Sequence, residues 1–346
     1  MSSRAPASSR DNGGSRIVVV TDHPWPDVEI ERSVLAGAGL ELRAGPGRAG
    51  TAAEIETLVA RHDPVAIMTC WAEVSARAIA LPSELLVVAR MGVGLDNIAV
   101  AAATARGAWV INVPDYCVQE VSDHAIALML AHWRDVVVTD RASKQGVWNP
   151  TAAVARRVRD RTVGIIGYGR IGSTTARKMA RGFGCRVLVN SPGLLREHGA
   201  GHELAPGIIV AALAQLQEEA DAIVLHLPLV DSTRRLVDKK FLAACRRKPL
   251  LVNVSRGGLV DNDALVHALE HGLLSGAALD VIEGEPAPPL SVIGRADVIA
   301  TPHIGFLSDA SVAEVRRRSC EDVVRAVSGE KPRNPCNAPH ARVASK

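Results

Sequence analysis

Short runs of Val, Ile and Leu alternate along most of the chain with longer Ala-rich segments whose apolar residues have helical spacing. Short uninterrupted apolar runs are typical of parallel strands that are buried on both faces, and the segments between them have the period of amphipathic helices. The alternation therefore predicts an α/β fold in which crossover helices connect parallel strands.

The predicted strands form two series. The first series consists of RIVVVTD (16–22), LELRA (40–44), VAIMTC (65–70), LLVVARMG (85–92) and AWVINVP (108–114). The second series consists of TVGIIG (162–167), RVLVNS (186–191), DAIVLHL (221–227), PLLVNVS (249–255), AALDV (277–281) and DVIATP (297–302). Two series predict two doubly wound, Rossmann-like parallel sheets, each covered by its own helices.

Two long helices are predicted outside these series. Residues 119–141 have apolar positions at helical spacing and are expected to form one helix that connects the two halves. The segment after Ser308 has the same spacing and predicts a second helix. Residues 1–15 are mostly polar, so we expect them to form a disordered tail.

Composition narrows the class of protein. A chain of 346 residues favours two domains, and its 47% hydrophobic and 22% charged residues are typical of folded globular proteins. The net charge of +3 without basic runs argues against a nucleic-acid partner. No apolar run is long enough to span a membrane and the N-terminus lacks a hydrophobic signal segment, so a cytoplasmic protein is expected. Six scattered cysteines without a C-x-x-C pair predict neither a disulfide framework nor a metal site.

A glycine pattern marks the strongest candidate for a binding site. Gly167, Gly169 and Gly172 have the G-x-G-x-x-G spacing between a predicted strand and a predicted helix, with Arg170 and Ile171 between the last two glycines. In that context the glycines allow a tight turn, a close approach of the pyrophosphate and close packing of helix on strand. We therefore predict a dinucleotide site. The competing interpretation, a glycine-rich turn without a ligand, is less consistent with the flanking strand and helix.

The residues after the next strand bear on which dinucleotide binds. Such folds usually have an acidic residue there that hydrogen-bonds the adenosine ribose, whereas this chain has Asn190 and Ser191. Without a carboxylate a 2′-phosphate is not repelled, and Asn190, Ser191 and Arg196 could contact one. Both NAD(H) and NADP(H) therefore stay open.

Three ionisable residues follow later strands of the second series: Arg256, Glu285 and His303. An arginine can hold a carboxylate through two hydrogen bonds, and a histidine paired with a glutamate can exchange a proton near neutral pH. Together they suit the reduction of a 2-oxo acid, or the reverse oxidation of a 2-hydroxy acid. Taken singly, each residue also has an ordinary structural interpretation. Arg256 could pair with a surface acid, Glu285 could be a solvated loop residue, and His303 could be a packed turn histidine.

The ordered set of motifs resembles the D-isomer-specific 2-hydroxyacid dehydrogenase family, which includes phosphoglycerate dehydrogenases, glyoxylate/hydroxypyruvate reductases and the related C-terminal-binding-protein corepressors. The resemblance extends from Arg16 to about Gly329. It rests on Gly92-Val-Gly-Leu-Asp-Asn97, the G-x-G-x-x-G turn, Leu225-His-Leu-Pro-Leu229 with Thr233, Asn253-Val-Ser-Arg-Gly-Gly258, Ala278-Leu-Asp-Val281, Glu285-Pro286 and Pro302-His303.

The resemblance implies roles for individual residues. Arg256, Glu285 and His303 match the family's catalytic arginine, glutamate and histidine, and Arg256 would also bind the substrate carboxylate. The backbone N–H groups of Val93 and Gly94 would contact the same carboxylate. Further cofactor contacts are implied for Leu227, Pro228, Thr233, Val254, Ser255 and Asp280, the last at the nicotinamide carboxamide.

The family's organisation is also implied. Residues 16–114 with 306–330 would form a discontinuous substrate domain around a dinucleotide-binding domain at 115–305, followed by a C-terminal tail at 331–346. A homodimer through residues 119–150 is expected, with a small 2-oxo or 2-hydroxy acid as the substrate.

Several points depart from the family or leave alternatives open. The substrate cup implied by the resemblance consists of Thr69-Cys70-Trp71-Ala72 and the Val93 loop, and it contains an unusually large aromatic residue, Trp71. Trp25 and Trp148 are further candidate pocket walls. Packing at an interface is the ordinary alternative for each tryptophan.

A nucleotide-sensing corepressor with little turnover is the second functional hypothesis. Formate dehydrogenases of this fold pair their histidine with glutamine, which Glu285 argues against, and phosphite oxidation is a minor alternative.

Overall fold

A computed structural model describes residues 16–151 and 153–339, so the predicted tail at 1–15 lies outside the described residues. The chain divides into two compact units. The first contains the residues up to Tyr116 and those from Val312 onward, and the second is Cys117–Ser311. Within the described residues no helix is long and apolar enough to cross a membrane.

The elements are as follows. The strands are β1 (Arg16–Val20), β2 (Leu40–Ala44), β3 (Ala66–Thr69), β4 (Val87–Arg90), β5 (Trp109–Ile111), β6 (Thr162–Ile166), β7 (Arg186–Asn190), β8 (Glu203–Ala205), β9 (Ile208–Val210), β10 (Ala222–Leu225), β11 (Leu250–Asn253), β12 (Gly276–Leu279) and β13 (Val298–Ala300). The α-helices are α1 (Glu29–Ala36), α2 (Ala52–His62), α3 (Ala76–Ala80), α4 (Val100–Ala105), α5 (Val118–Trp133), α6 (Val136–Lys144), α7 (Arg170–Phe183), α8 (Pro192–His198), α9 (Leu213–Glu219), α10 (Lys239–Ala243), α11 (Asn262–Glu270), α12 (Leu290–Ile293) and α13 (Asp309–Val327).

The first unit is built on a parallel five-stranded sheet in the order β2-β1-β3-β4-β5. Helix α13 returns to this unit after the second unit is complete, and its residues Cys320, Val323 and Val327 join Val18 and Val20 in one buried apolar cluster. The predicted C-terminal helix is thus confirmed. It closes the core of a unit whose strands lie about 200 to 300 residues earlier in the chain.

Part of the predicted C-terminal tail is ordered against the first unit. Cys336 donates its backbone N–H to Val110 O, and Asn337 accepts from Val110 N through its side chain. Pro335 forms an isolated bridge with Ile111. These residues cover the open edge of β5, where unpaired backbone groups would otherwise face solvent, so the tail assignment is corrected for residues 335–337.

The second unit contains an eight-stranded sheet in the order β13-β12-β11-β10-β6-β7-β9-β8. Every pairing is parallel except that of β8 with β9. All the predicted strands are confirmed, whereas the small β8–β9 hairpin was not predicted. The predicted doubly wound α/β fold is confirmed for both units.

One prediction is wrong in detail. Residues 119–141 do not form a single helix, because α5 ends at Trp133 and α6 begins at Val136. Between them Asp135 adopts a left-handed conformation with φ of 52°, which aspartate tolerates better than most residues. Its side chain accepts a hydrogen bond from Val154 N at 2.6 Å and ties the break to the following loop.

Candidate active site

The candidate site lies along the carboxyl ends of the strands of the second unit. The chain leaves β6 toward β7 and later returns to β10 on the other side of β6. In open α/β sheets, ligands bind in the crevice at the carboxyl ends of the strands where the order reverses in this way. The predicted dinucleotide turn follows β6, so the topology places it at this crevice.

The geometry of the three glycines fits a phosphate-bearing ligand. Gly167 has φ of +98°, and a Cβ on it would lie 2.1 Å from His226 O. A Cβ on Gly172 would lie 2.2 Å from Gly167 O, whereas a Cβ on Gly169 would meet no atom within 4 Å. A side chain at Gly167 or Gly172 would therefore collide with neighbouring backbone, whereas Gly169 faces open space. Helix α7 starts here with no side chain of the described residues capping it, which leaves backbone N–H groups for an anion.

The other residues of this turn are exposed to different degrees. Arg170 opens α7 with its side chain exposed, and Ile171 is partly buried. At the end of β7, the side chain of Asn190 donates to Ala211 O at 2.9 Å and so contributes to the fold. Ser191 is partly buried and Arg196 is exposed on α8, so these two are the better candidates for contacting a 2′-substituent.

A second wall of the crevice is formed after β10. The hydroxyl of Thr233 donates to Pro228 O at 2.7 Å and accepts from Val230 N at 2.9 Å, which closes the loop that follows Leu227. Ser255 Oγ donates to Leu225 O at 2.7 Å and ties the end of β11 to the end of β10. The hydroxyls of Thr233 and Ser255 therefore shape this wall, and Val254 beside Ser255 is buried.

His226 is a residue of this region that the sequence argument did not single out, although it lies within the Leu225–Leu229 motif. Its Nε2 is 3.0 Å from Thr175 Oγ1, on α7, and its backbone N–H donates to Ile166 O. Burial lowers the pKa of His226 to about 3. The ring is therefore neutral at physiological pH and serves as a support beneath the glycine turn.

Arg256 is held by a turn that a buried asparagine organises. The side chain of Asn253 accepts from Ser255 N at 3.1 Å and donates to Arg256 O at 2.8 Å. A Cβ on Gly257 would lie 2.2 Å from the carbonyl carbon of Ile282. The turn carrying Arg256 therefore packs directly on the backbone that leads to Glu285.

Glu285 and His303 are in direct contact. Glu285 Oε2 lies 2.7 Å from His303 Nδ1, and its Oε1 accepts from Ile282 N at 2.8 Å. Both side chains are partly exposed to solvent. Since an ionised carboxylate only accepts hydrogen bonds, Nδ1 carries the proton and Nε2 is the ring atom that can exchange a proton with a substrate.

Asp280 lies beneath this pair and is 3% exposed. Its Oδ1 accepts from Thr301 Oγ1 at 2.6 Å and from Ile304 N at 2.9 Å, and its Oδ2 accepts from Gly305 N at 2.8 Å. Burial alone would raise the pKa of Asp280, but hydrogen bonds from His124, Thr301 and the two N–H groups together lower it below its usual value. The carboxylate is therefore ionised. The contact with a nicotinamide carboxamide stays a prediction.

The predicted substrate cup belongs to the first unit. Asp22 is fully buried and accepts hydrogen bonds from Cys70 N at 3.0 Å and Trp71 N at 2.8 Å. Trp71 remains 38% exposed above this fixed loop. In the neighbouring loop, Val93 O accepts from Asn112 Nδ2 at 2.7 Å, and both Val93 and Gly94 are partly buried.

The other two tryptophans differ in their surroundings. Trp25 is buried in the first unit, with the Cζ atom of Arg316 5.2 Å from its ring centroid, so it is a packing residue there. Trp148 is 89% exposed in the second unit.

Comparison with known proteins places these observations in a family. Residues 126–305, just over half of the chain, match the model for the D-isomer specific 2-hydroxyacid dehydrogenase NAD binding domain. A glyoxylate reductase from Korarchaeum cryptofilum is 37% identical over 259 residues, which is 73% of this chain and 76% of that protein. A D-3-phosphoglycerate dehydrogenase from Mycobacterium tuberculosis is 37% identical over 254 residues, 73% of this chain but 46% of that protein. The chain thus spans about half the length of such curated relatives.

A solved structure shows the same architecture. The NADPH-dependent glyoxylate/hydroxypyruvate reductase from Sinorhizobium meliloti, in complex with NADP and malonate, has a TM-score of 0.79 and 27% identity, covering 96% of this chain and 100% of that one. The parallel sheets and the glycine turn define a dinucleotide-binding α/β protein. More narrowly, the chain belongs to the D-isomer specific 2-hydroxyacid dehydrogenase family.

Proposed function

We propose that the protein is an NAD(P)-dependent oxidoreductase that interconverts a D-2-hydroxy acid and the corresponding 2-oxo acid. The observation that carries this proposal is the 2.7 Å contact between His303 Nδ1 and Glu285 Oε2 at the same sheet edge as the glycine turn. Family membership supports the same reaction class. We assign dinucleotide binding and the proton-transfer residues to the second unit.

The residues divide the chemistry among them. The nicotinamide, when bound, supplies or accepts the hydride. Arg256 holds the substrate carboxylate through its planar guanidinium, which orients the neighbouring carbonyl. His303 donates a proton from Nε2 to the oxygen that becomes the hydroxyl, and takes it back in the reverse direction. Glu285 holds the imidazole by Nδ1 and stabilises its cationic form. The N–H groups of Val93 and Gly94 stay predicted ligands of the carboxylate.

The residues after β7 are compatible with either nucleotide. Ser191 bears no charge that would repel a 2′-phosphate, and its hydroxyl can bond a ribose diol equally well. The matching family model describes an NAD binding domain, whereas the Sinorhizobium meliloti structure is a complex with NADP. We therefore propose NAD(H) or NADP(H) and make the choice a measurement.

A panel of 2-oxo acids assayed with NADH and with NADPH tests the proposal. Glyoxylate, hydroxypyruvate, pyruvate, phenylpyruvate and 3-phosphohydroxypyruvate sample small, apolar, aromatic and charged side chains. Turnover of about one per second or more on any of them supports the enzyme, since this is the usual lower range for kcat. Tight nucleotide binding without turnover would instead support the corepressor-like sensor.

Substitution of Arg256 tests its role as the carboxylate ligand. We expect Arg256→Ala to raise KM for the 2-oxo acid by about 100-fold, because a charge-assisted pair worth about 2–3 kcal/mol is lost. Steady-state kinetics on the best substrate of the panel measures this. Arg157→Ala is the control, since Arg157 is an exposed arginine paired with Asp160, away from the sheet edge. An unchanged KM in Arg256→Ala would remove Arg256 from the substrate site.

We also propose that the protein is a homodimer that associates through the second unit. Helix α6 has no buried residue, and apolar side chains are exposed on it and on the loop that follows: Val136, Val138, Val147, Trp148 and Val154. Exposed apolar residues concentrated in one segment are typical of a protein interface.

The molar mass measured by light scattering during size-exclusion chromatography tests the proposed dimer. The wild type is expected to have the mass of two chains, and Val138→Asp combined with Trp148→Ser is expected to have the mass of one. Leu290→Asp is the matched control, because Leu290 is an equally exposed apolar residue outside this segment. A wild-type mass of one chain at micromolar concentration contradicts the proposal.

The thiols bear on the predicted cytoplasmic location. Burial raises the pKa of the Cys245 and Cys185 thiols to about 11. Protonated thiols suit a reducing compartment, which supports this prediction.

A further inference from the structure

His303 has an unusual backbone conformation. Its φ is +56°, in the left-handed region that residues other than glycine rarely adopt. Such a conformation is energetically unfavourable for a residue with a side chain and persists only where the surroundings enforce it. The cause must therefore lie in the contacts of the turn formed by residues 301–305.

Asp280 supplies most of these contacts. Its backbone oxygen accepts from His303 N at 2.9 Å, while its carboxylate accepts from the N–H groups of Ile304 and Gly305, the next two residues. A Cβ on Gly305 would lie 2.8 Å from Asp280 Oδ2, so the turn closes tightly on the carboxylate. One aspartate thus holds three successive N–H groups.

Two further residues hold the carboxylate. Thr301 Oγ1 donates to Asp280 Oδ1 at 2.6 Å, and His124 Nε2 on α5 lies 2.9 Å from Thr301 Oγ1 and 3.3 Å from Asp280 Oδ1. Because the carboxylate only accepts, the Thr301 hydroxyl gives its proton to Asp280, and His124 Nε2–H must be the donor to Thr301. The hydrogen bonds therefore run in one direction, from His124 on α5 to Asp280, both through Thr301 and by the longer direct contact.

We propose that His124 and Thr301 are positioning residues that act through the Asp280 carboxylate to keep His303 in its left-handed conformation with Nδ1 against Glu285. The catalytic consequence rests on the proposed function, whereas the effect on the turn does not. Without the Thr301 hydroxyl, the buried carboxylate loses its shortest hydrogen bond and can turn away from the N–H groups of Ile304 and Gly305. The left-handed conformation then relaxes and the imidazole leaves Glu285.

Paired substitutions test the proposal in the full-length protein. Thr301→Val removes the hydroxyl at nearly constant shape, and Thr301→Ser restores it. His124→Leu removes the ring N–H, and His124→Gln places an amide N–H close to the position of Nε2. His132→Leu is the control, since His132 lies on the same helix and its Nε2 bonds Ser275 Oγ at 3.1 Å.

The first measurement is hydrogen exchange of the Ile304 and Gly305 amides, which needs no turnover. We expect exchange to accelerate about tenfold in Thr301→Val and His124→Leu, since loss of a buried hydrogen bond makes local opening of the turn more frequent. The Ser and Gln variants should stay within about threefold of the wild type, as should His132→Leu.

The second measurement is the division between kcat and KM. Thr301→Val and His124→Leu should lower kcat for the 2-oxo acid about tenfold while KM for the nucleotide changes less than about twofold, because the geometry of His303 is altered and not the glycine turn. Recovery of kcat in Thr301→Ser and His124→Gln is expected.

The outcomes separate the two proposals. Unchanged amide exchange in Thr301→Val, no recovery in Thr301→Ser, or the same acceleration in His132→Leu would overturn the positioning role. Accelerated exchange that recovers as expected, in a protein that turns over no 2-oxo acid, would refute the proposed function while supporting the positioning role.

Discussion

Replacement of His303 by asparagine is expected to lower kcat for 2-oxo acid reduction by about 10²- to 10⁴-fold, the range for loss of a general acid. Asparagine is the informative choice because it tolerates the left-handed conformation at this position and its side-chain amide can still donate to Glu285. The turn should therefore survive while the exchangeable proton is lost. Stopped-flow or steady-state measurement of nucleotide oxidation gives the result.

A control substitution completes this test. His271→Asn alters an exposed histidine that stacks on His267, and it should leave kcat unchanged. Wild-type turnover in His303→Asn would assign the proton transfer to another group.

Arg316→Met is expected to lower the free energy of unfolding of the first unit by about 3–5 kcal/mol, because it leaves a buried carboxylate without its partner. Glu31 is fully buried, and both its oxygens accept from Arg316 at 2.8 Å. Arg316 also donates to Asp27 Oδ1 at 2.9 Å. Since Arg316 lies on α13 and Glu31 on α1, the pair joins the two ends of the chain within the first unit.

Urea denaturation followed by circular dichroism measures this loss. Glu31→Leu combined with Arg316→Met should recover much of it, because an apolar pair of similar volume can replace a buried ion pair. Lys144→Met is the control, since the Lys144–Asp140 pair is exposed and should contribute less than about 1 kcal/mol. Equal losses from Arg316→Met and Lys144→Met would mean that burial does not determine the strength of the pair.

The elements that periodicity predicted well are those with long apolar runs. Every predicted strand forms, because consecutive Val and Ile residues suit a strand that is buried on both faces. The β8–β9 hairpin was missed because β8, Glu203–Ala205, has no run of Val or Ile and is followed at once by Pro206 and Gly207. The break at Asp135 was missed because one left-handed residue leaves the apolar spacing on either side intact. Residues 335–337 lie at β5 because the edge of that strand is open, which a local pattern does not reveal.

In the candidate site, too, some features could be predicted from the sequence and others could not. The G-x-G-x-x-G spacing, with a strand before it and a helix after it, was sufficient to predict the glycine turn, and the positions of Glu285 and His303 after successive strands suggested that they meet. The spacing did not single out His124 or His226. His124 lies on α5 and His226 follows β10 directly, and neither position stands out from the apolar spacing around it. The role of each comes from a partner that is distant in the chain, Thr301 at 177 positions and Thr175 at 51.

Local residue order was enough to predict the α/β class, the strand positions and the glycine turn, and to single out the residues proposed for proton transfer and carboxylate binding. Those features depend on neighbours a few positions apart, where spacing directly sets which side chains share a face. The left-handed conformation of His303, the ionised Asp280 beneath it and the joining of α13 to α1 depended on the folded chain. Each arises from a buried charge or backbone group that needs partners from far along the sequence, and only the packing of the elements brings those partners together.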